Sequence, residues 1–101
     1  MKEKIENILI RNNLNPYLKG FSYIVSCIEY MFENNVSPSE IRVCKELYVE
    51  VAEMYNVSWR TLERSIRSCI YESKYKDAHG FTPTNSKFLS IIFYSVKNEA
   101  L

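Results

Sequence analysis

Three arginines and a glutamate recur at helical spacing in the second half of the chain. Arg60, Glu63, Arg64 and Arg67 follow one another at steps of three, four and seven residues from the first, which places them on one face of a helix. A guanidinium group can donate two hydrogen bonds to guanine O6 and N7 in the major groove, and a carboxylate can accept one from cytosine N4. We therefore predict that these four residues contact base edges of double-stranded DNA.

The charge pattern alone leaves a second interpretation open. Exposed arginines on a helix are often simply solvated, and Glu63 with Arg67 has the spacing of an ordinary ion pair worth about 0.3–0.5 kcal/mol. Glu63 can also act as a helical neighbour that holds Arg60 and Arg67 in position. Taken by itself, the arginine pattern favours DNA binding and solvation about equally.

Other polar groups are expected to contact DNA phosphates. Ser58 is a good helix N-cap, because its hydroxyl can accept a hydrogen bond from the N–H of Arg60 or Thr61. The unpaired N–H groups at such a helix start can also bind a phosphate. The full set that we expect at the DNA backbone consists of hydroxyl and ammonium groups before, on and after this helix: Ser58, Thr61, Ser68, Lys74, Lys76 and Lys19.

The distribution of charge supports a nucleic-acid interface. The net charge of +1 is small, but residues 57–76 carry five basic and two acidic side chains, a net of +3. Residues 21–56 carry two basic and six acidic side chains, a net of −4. A basic block beside an acidic one is expected when a single face of the protein meets phosphate.

The elements that must position these groups are helices. Two glycines and three prolines in 101 residues leave little room for hairpin turns. Apolar residues recur at steps of three and four, which predicts an all-α, single-domain chain of five or six helices. Gly20 lies within the second helix, where we expect a close helix contact rather than a break. The predicted helices are a short one before Asn15-Pro16, then 17–33, 45–55 (starting at Cys44 or Lys45), 59–74, and a last one that starts within 83–86.

The predicted helices 45–55 and 59–74, joined by the turn 56–58, have the pattern of a helix-turn-helix. The first has an apolar face, and the second has an inward apolar stripe opposite the arginines. Between the second and third helices, Ser37 or Ser39 is expected to cap a short helical turn that contains Ile41 and Val43. The first apolar face consists of Leu47, Val51, Met54 and Tyr55, and the inward stripe of Leu62, Ile66, Cys69 and Ile70.

Other functional classes find little support. His79 lies in a predicted loop and lacks a nucleophile or acid partner, so we expect no enzyme activity and no small-molecule substrate. The cysteines (Cys27, Cys44 and Cys69) lack metal-ligand spacing and fall in apolar patterns, so we expect buried thiols and no metal or other cofactor. We find neither an apolar run of membrane-spanning length nor a signal-peptide pattern, which predicts a cytoplasmic protein.

The sequence resembles a known family over nearly its whole length. Leu47-Tyr48, Val51-Ala52, Asn56-Val57-Ser58 and Leu62-Glu63-Arg64-Ser65-Ile66-Arg67 are similar to the DNA-reading region of the C-terminal effector domain of the master sporulation response regulator of endospore-forming bacteria, the stage 0 sporulation protein A family. Two further motifs agree in order: Leu18-Lys19-Gly20-Phe21-x-Tyr23 and Phe81-Thr82-Pro83-Thr84-Asn85-Ser86-Lys87-Phe88.

The resemblance implies a six-helix, winged-helix-like domain without a convincing wing, which binds promoter DNA in the bacterial nucleoid. Glu63 and Arg64 match the family's paired base-reading glutamate and arginine, Arg67 matches its following arginine, and family members bind repeated boxes as adjacent protomers. RNA polymerase is a further partner to consider. The alternative function is a protein-interaction module that docks on a regulator or on RNA polymerase and modulates sporulation-type transcription.

The chain also departs from the family. Arg60, with Trp59 before it, stands where the recognition helix of the family begins with a small or hydroxyl residue. Ser68 replaces a histidine, and Val49 replaces a proline. These changes concern the DNA sequence that is bound. The family's receiver domain, with its phosphorylatable aspartate, has no counterpart in these 101 residues, so the sequence is either an excised domain or a natural stand-alone module.

Overall fold

The computed structural model describes residues 1–40 and 45–99, which form five α-helices and a short 3-10 turn. This part of the chain contains no strand, which confirms the predicted all-α class. Ile41, Val43 and Cys44, on which some of our predictions rest, lie outside the described residues. The helices are α1 (Lys2–Arg11), α2 (Lys19–Glu33), α3 (Lys45–Met54), α4 (Trp59–Ser73) and α5 (Asn85–Glu99), and the 3-10 turn is Pro38–Glu40.

The predicted second helix starts two residues too early. The observed helix α2 starts at Lys19, and its N-cap is Leu18, which has extended backbone angles. Tyr17 before it is 93 % exposed. The N–H of Tyr17 instead donates to Oδ1 of Asn15 at 2.9 Å. An asparagine side chain that binds the backbone two residues ahead competes with helix formation, and here it delays α2 until Lys19.

The predicted inner face of α3 is wrong at its C-terminal end. Met54 is 61 % exposed and Tyr55 is 38 % exposed and follows the end of the helix. The buried face consists of Leu47, Tyr48, Val51 and Ala52. Because α3 stops at Met54, the Tyr55 ring turns aside, packs edge-on against Tyr23 with centroids 4.8 Å apart, and shares a 2.6 Å hydrogen bond with the Ser26 hydroxyl.

Helix α2 occupies the centre of the fold and contacts each of the other four helices. Its apolar residues belong to one continuous core to which all five helices contribute. Helices α1 and α5 also pack together, and an ion pair between Arg11 and Glu99 joins their ends. The central helix therefore supports the surface on which α4 lies.

The contact between α2 and α4 depends on Gly20. A Cβ atom at this position would lie 2.2 Å from the carbonyl oxygen of Ser65 and 2.8 Å from Cβ of Cys69. Both neighbours belong to α4, so α2 touches the backbone of α4 directly. The predicted close helix contact at Gly20 is confirmed.

The two described cysteines lie in this core. Cys27 and Cys69 are fully buried, as the apolar pattern around them predicts. Burial raises the pKa of both thiols, that of Cys69 to about 11, since a thiolate loses its hydration in the interior. Both groups therefore stay protonated and pack as small apolar side chains.

Candidate nucleic-acid interface

Helix α4 starts at a well-formed cap. Oγ of Ser58 accepts a hydrogen bond from the N–H of Thr61 at 3.1 Å, as predicted, and donates one to Oγ1 of Thr61 at 3.0 Å. In the turn before it, Asn56 adopts a left-handed φ of 55°, and the N–H of Val57 donates to the carbonyl of Ala52 at 3.1 Å. Asparagine tolerates this backbone region better than most residues, which lets α3 and α4 meet through a short turn.

The two faces of α4 separate as predicted. The inward stripe is buried: Leu62, Ile66, Cys69 and Ile70 are each at most 1 % exposed. On the opposite side, the arginine face (Arg60, Glu63, Arg64 and Arg67) has three exposed arginines and a partly buried Glu63. The helix ends at Ser73, and Lys74 after it takes a left-handed φ of 61°.

Within the arginine face, Glu63 contacts Arg67 and not Arg60. The nearest carboxylate and guanidinium atoms are 3.9 Å apart, and the two side chains are 34 % and 57 % exposed. At this distance and exposure the pair is worth no more than about 0.3–0.5 kcal/mol. Both side chains can therefore separate at little cost when a binding partner offers better contacts.

Two depressions flank the arginine face. A cleft of about 430 Å³ lies on the side of α3 and α5 and includes Glu63 and Arg67 in its wall. A shallower groove of about 220 Å³ lies on the side of α2, and Arg64, Ser68 and Lys19 line it. The structure thus brings Lys19, which is far away in sequence, next to Arg64 and Ser68.

The other residues predicted at the DNA backbone lie at the two ends of α4. Ser58 and Thr61 form the cap at its start, where the hydroxyl proton of Ser58 is already given to Thr61. Lys74 and Lys76 follow its other end, which lies about 20 Å from Arg60 along the helix axis. The Lys76 ammonium donates to Oγ1 of Thr82 at 2.8 Å. The six residues therefore form three groups rather than one surface.

A single indole ring at the start of α4 attracts two cations. Nζ of Lys45 and Cζ of Arg60 each lie 5.3 Å from the centroid of the Trp59 ring. This distance is within the range of a cation–π interaction. Trp59 is partly buried and packs against the core, so the ring joins the first turn of α3 to that of α4.

The start of α5 is fastened to α4 beside the cleft. Nδ2 of Asn85 donates to the main-chain carbonyl of Glu63 at 2.8 Å, while Oδ1 of Asn85 is buried without a partner among the described residues. Nearby, burial raises the pKa of Tyr48 to about 12, partly offset by a hydrogen bond with Ser86. The Asn85 contact joins α5 to the backbone of α4, and the Tyr48 contact joins α5 to α3.

The loop between α4 and α5 is closed by one carboxylate. Asp77 accepts hydrogen bonds from Nζ of Lys87 at 2.7 Å and from the N–H groups of Phe81 and His79 at 3.0 and 2.9 Å. These hydrogen bonds lower the pKa of Asp77 to about 2. The bond from Lys87 is the largest cause, and the bond from the N–H of Phe81 is the next. His79 is exposed in this loop, as expected.

Comparison with known families identifies the architecture. A family model described as the sporulation initiation factor Spo0A C terminal matches residues 5–96. The chain belongs to this family. The Spo0A C-terminal family is a DNA-binding regulatory domain and not an enzyme family. A search of curated proteins gave no match.

Two features of this Spo0A C-terminal domain do not follow from its sequence pattern. The sequence pattern indicates Lys45 only as a helix start, and Trp59 only as a helix start and a departure from the family, although a tryptophan next to Arg60 at the start of a basic helix is a usable signal. Asn85 was noted only as part of a motif. Nothing in the sequence indicates that its amide reaches the main chain of Glu63, 22 residues away.

No metal site or membrane span is evident in residues 1–40 and 45–99. These residues contain no group of three or more histidine, cysteine, aspartate or glutamate side chains placed to hold a metal ion. None of their helices combines the length and apolar character needed to cross a membrane.

Proposed function

We propose that this domain is a sequence-specific DNA-binding transcription regulator of the bacterial cytoplasm, in which α3, the turn and α4 act as a helix-turn-helix. Helix α4 enters the major groove with the arginine face toward the bases, and α3 crosses the DNA backbone. Proteins of this architecture use the N-terminal part of the second helix for base contacts, and Arg60, Glu63, Arg64 and Arg67 all lie in its first nine residues.

The arginine face is the observation that carries the proposal. Its arginines project from a capped helix whose opposite side is buried. Among the described residues, no carboxylate lies within ion-pair distance of Arg60 or Arg64. The guanidinium groups of Arg60 and Arg64 are therefore available to a ligand, on a helix whose start is capped and whose opposite side is packed, as a binding site on a rigid element requires.

Arg64 and Glu63 are the proposed readers of a G·C-containing site. Arg64 lies opposite the buried stripe and can donate to guanine O6 and N7, while Glu63 can accept from cytosine N4 once its contact with Arg67 loosens. The groups around the helix supply phosphate contacts that set its position: Lys19 and Ser68 on one side, Ser58 and Thr61 at the start, and Lys74 and Lys76 beyond the end.

Family membership supports two further proposals about partners. Protomers are proposed to bind repeated DNA boxes side by side, and RNA polymerase is proposed as a contact of the DNA-bound domain. The proposed location is accordingly the nucleoid.

Selection of bound sequences from a random duplex pool at physiological salt tests the function. We expect one motif to be enriched. If no motif is enriched and binding to DNA is absent at low salt, the DNA-binding proposal is wrong, and a protein-interaction module on the same surface becomes the better explanation.

The contribution of Arg64 is tested on the enriched site. Arg64→Ala is expected to cost about 1–3 kcal/mol of binding free energy and to relax specificity at one base pair, since a bidentate contact is lost. The matched control is Arg11→Ala, which removes an arginine paired with Glu99 at the α1–α5 end. Equal effects of the two substitutions, or unchanged preference at every base pair in Arg64→Ala, would contradict the assignment.

A further inference from the structure

We infer that Lys45, Trp59 and Arg60 form a phosphate-binding site for the DNA strand that passes the start of α4. We name these three residues the indole cluster. The inference rests on the proposed DNA-binding function and changes one part of it: Arg60 binds the DNA backbone and does not read a base.

The geometry of the indole cluster indicates an anionic ligand. Two cations from different helices lie at the same 5.3 Å from one ring centroid. Two like charges beside one ring repel each other, and the negative face of the indole offsets part of this repulsion. Among the described residues, no carboxylate lies within ion-pair distance of either cation, so both charges remain available to an anionic ligand.

The position of the cluster favours a phosphate over a base edge. Lys45 belongs to the first turn of α3, the helix that crosses the DNA backbone in this architecture. Lys45 and Trp59 line the larger cleft, and the contact of Arg60 with the Trp59 ring keeps its guanidinium close to them. Two side chains on one ring can then contact the same phosphate or neighbouring ones.

Trp59 is the positioning residue of this site. Its ring is partly buried against the core, so it is fixed, while Lys45 and Arg60 are exposed and long. Long cationic side chains lose conformational freedom when they bind, and a ring that already holds them near their bound place reduces that loss. Trp59, at which this chain departs from its family, thus acts through Lys45 and Arg60.

Salt dependence separates phosphate contacts from base contacts. Each phosphate contact contributes about 0.9 to the slope of log K against log salt for duplex DNA. We expect Arg60→Gln and Lys45→Gln each to reduce this slope by about one and to weaken binding several-fold. The weakening should be uniform across the enriched site and its single-base variants. Lys97→Gln, an exposed lysine of α5 on a different surface, is the matched control and should leave the slope unchanged.

Two results would overturn the site. One is an Arg60→Gln variant that loses preference at a single base pair with an unchanged slope, which identifies Arg60 as a base reader. The other is a Lys45→Gln variant whose slope of log K against log salt equals that of the wild type. Both are measured only where the wild-type domain binds its enriched site, so failure of the DNA-binding proposal is visible separately as absence of enrichment.

The role of Trp59 is tested by combining variants. Trp59→Leu keeps both charges but removes the ring that holds them. Adding Arg60→Gln to Trp59→Leu should therefore weaken DNA binding less than twofold, whereas Arg60→Gln in the wild-type background weakens it several-fold. Trp59→Phe, which retains an aromatic face, should restore most of the dependence on Arg60. If the losses from Trp59→Leu and Arg60→Gln multiply fully, Trp59 does not position Arg60. Where Trp59→Leu does not fold, the same comparison is made between Trp59→Phe and wild type, and a dependence on Arg60 lower than wild type but not abolished is expected.

Discussion

Replacing Gly20 by alanine should destabilise the fold, although alanine favours helices. In an exposed helix, this change stabilises by about 1 kcal/mol. Here the added Cβ would lie 2.2 Å from the carbonyl oxygen of Ser65, whereas ordinary contacts begin near 3.4 Å. The obstructing atom is backbone, so no side-chain rotation can relieve the overlap, and α2 and α4 must move apart.

The magnitude follows from that separation. The helices must part by roughly 1 Å, and a gap of 0.5–1 Å already forfeits a quarter to a half of the attraction between the atoms that line it. Overpacking in a well-packed core costs about 1–3 kcal/mol and occasionally more. We take the overpacking cost as about 3 kcal/mol, the upper end of that range, because the overlap is with backbone. The gain in helix propensity of about 1 kcal/mol offsets part of it, so we expect a net loss of stability of about 2 kcal/mol. That is a large fraction of the total for a domain of this size.

Urea unfolding followed by circular dichroism measures the effect. With an m value of about 2 kcal/mol/M, the loss should lower the midpoint by roughly 1 M. The control is Ser22→Ala on the exposed side of the same helix, which should change stability by no more than a few tenths of a kcal/mol toward greater stability. A Gly20→Ala midpoint equal to or above wild type would refute the argument, because the helices would then have room that the structure does not show.

Two further predictions concern the cap at the start of α4 and the loop that follows the helix. Ser58→Ala should cost about 1 kcal/mol in urea unfolding because the cap is lost, while Ser58→Asp should retain stability but bind DNA more weakly through its charge; equal stability of the alanine variant would contradict the capping role. For Asp77, whose pKa lies at about 2 instead of 3.8, the contribution of the ionised form is present above about pH 4 and is lost as the pH falls toward 2. The melting temperature of wild type should therefore exceed that of Asp77→Asn above pH 4 and approach it below, and a constant difference would contradict the contact with Lys87.

The helices could be predicted where the periodicity of apolar residues decides the structure. The buried stripe of α4 and the exposed side of Arg64 follow from a repeat of 3.6 residues, which needs no knowledge of the partner helices. The same rule failed for Met54 and Tyr55. Met54 is the last residue of α3 and Tyr55 follows it, so the apolar pattern runs up to and past the helix end, and that end depends on the turn that Asn56 makes with its left-handed backbone.

The candidate site shows a similar division. A sequence can indicate which residues share one helix face, so Arg60, Glu63, Arg64 and Arg67 were found together. It does not show which neighbour a long side chain selects. Only the packed structure shows that Glu63 contacts Arg67 and that Arg60 approaches Trp59.

By itself, the sequence determined the all-α class, the capped helix with its arginine face, and the close approach at Gly20, because each depends on local spacing or on one residue's lack of a side chain. The tertiary structure decided which distant groups join that face: Lys19 beside Arg64, Lys45 beside Trp59, and Asn85 on the carbonyl of Glu63. These contacts link different helices, and their distances depend on how all five helices pack around α2, which no local pattern encodes.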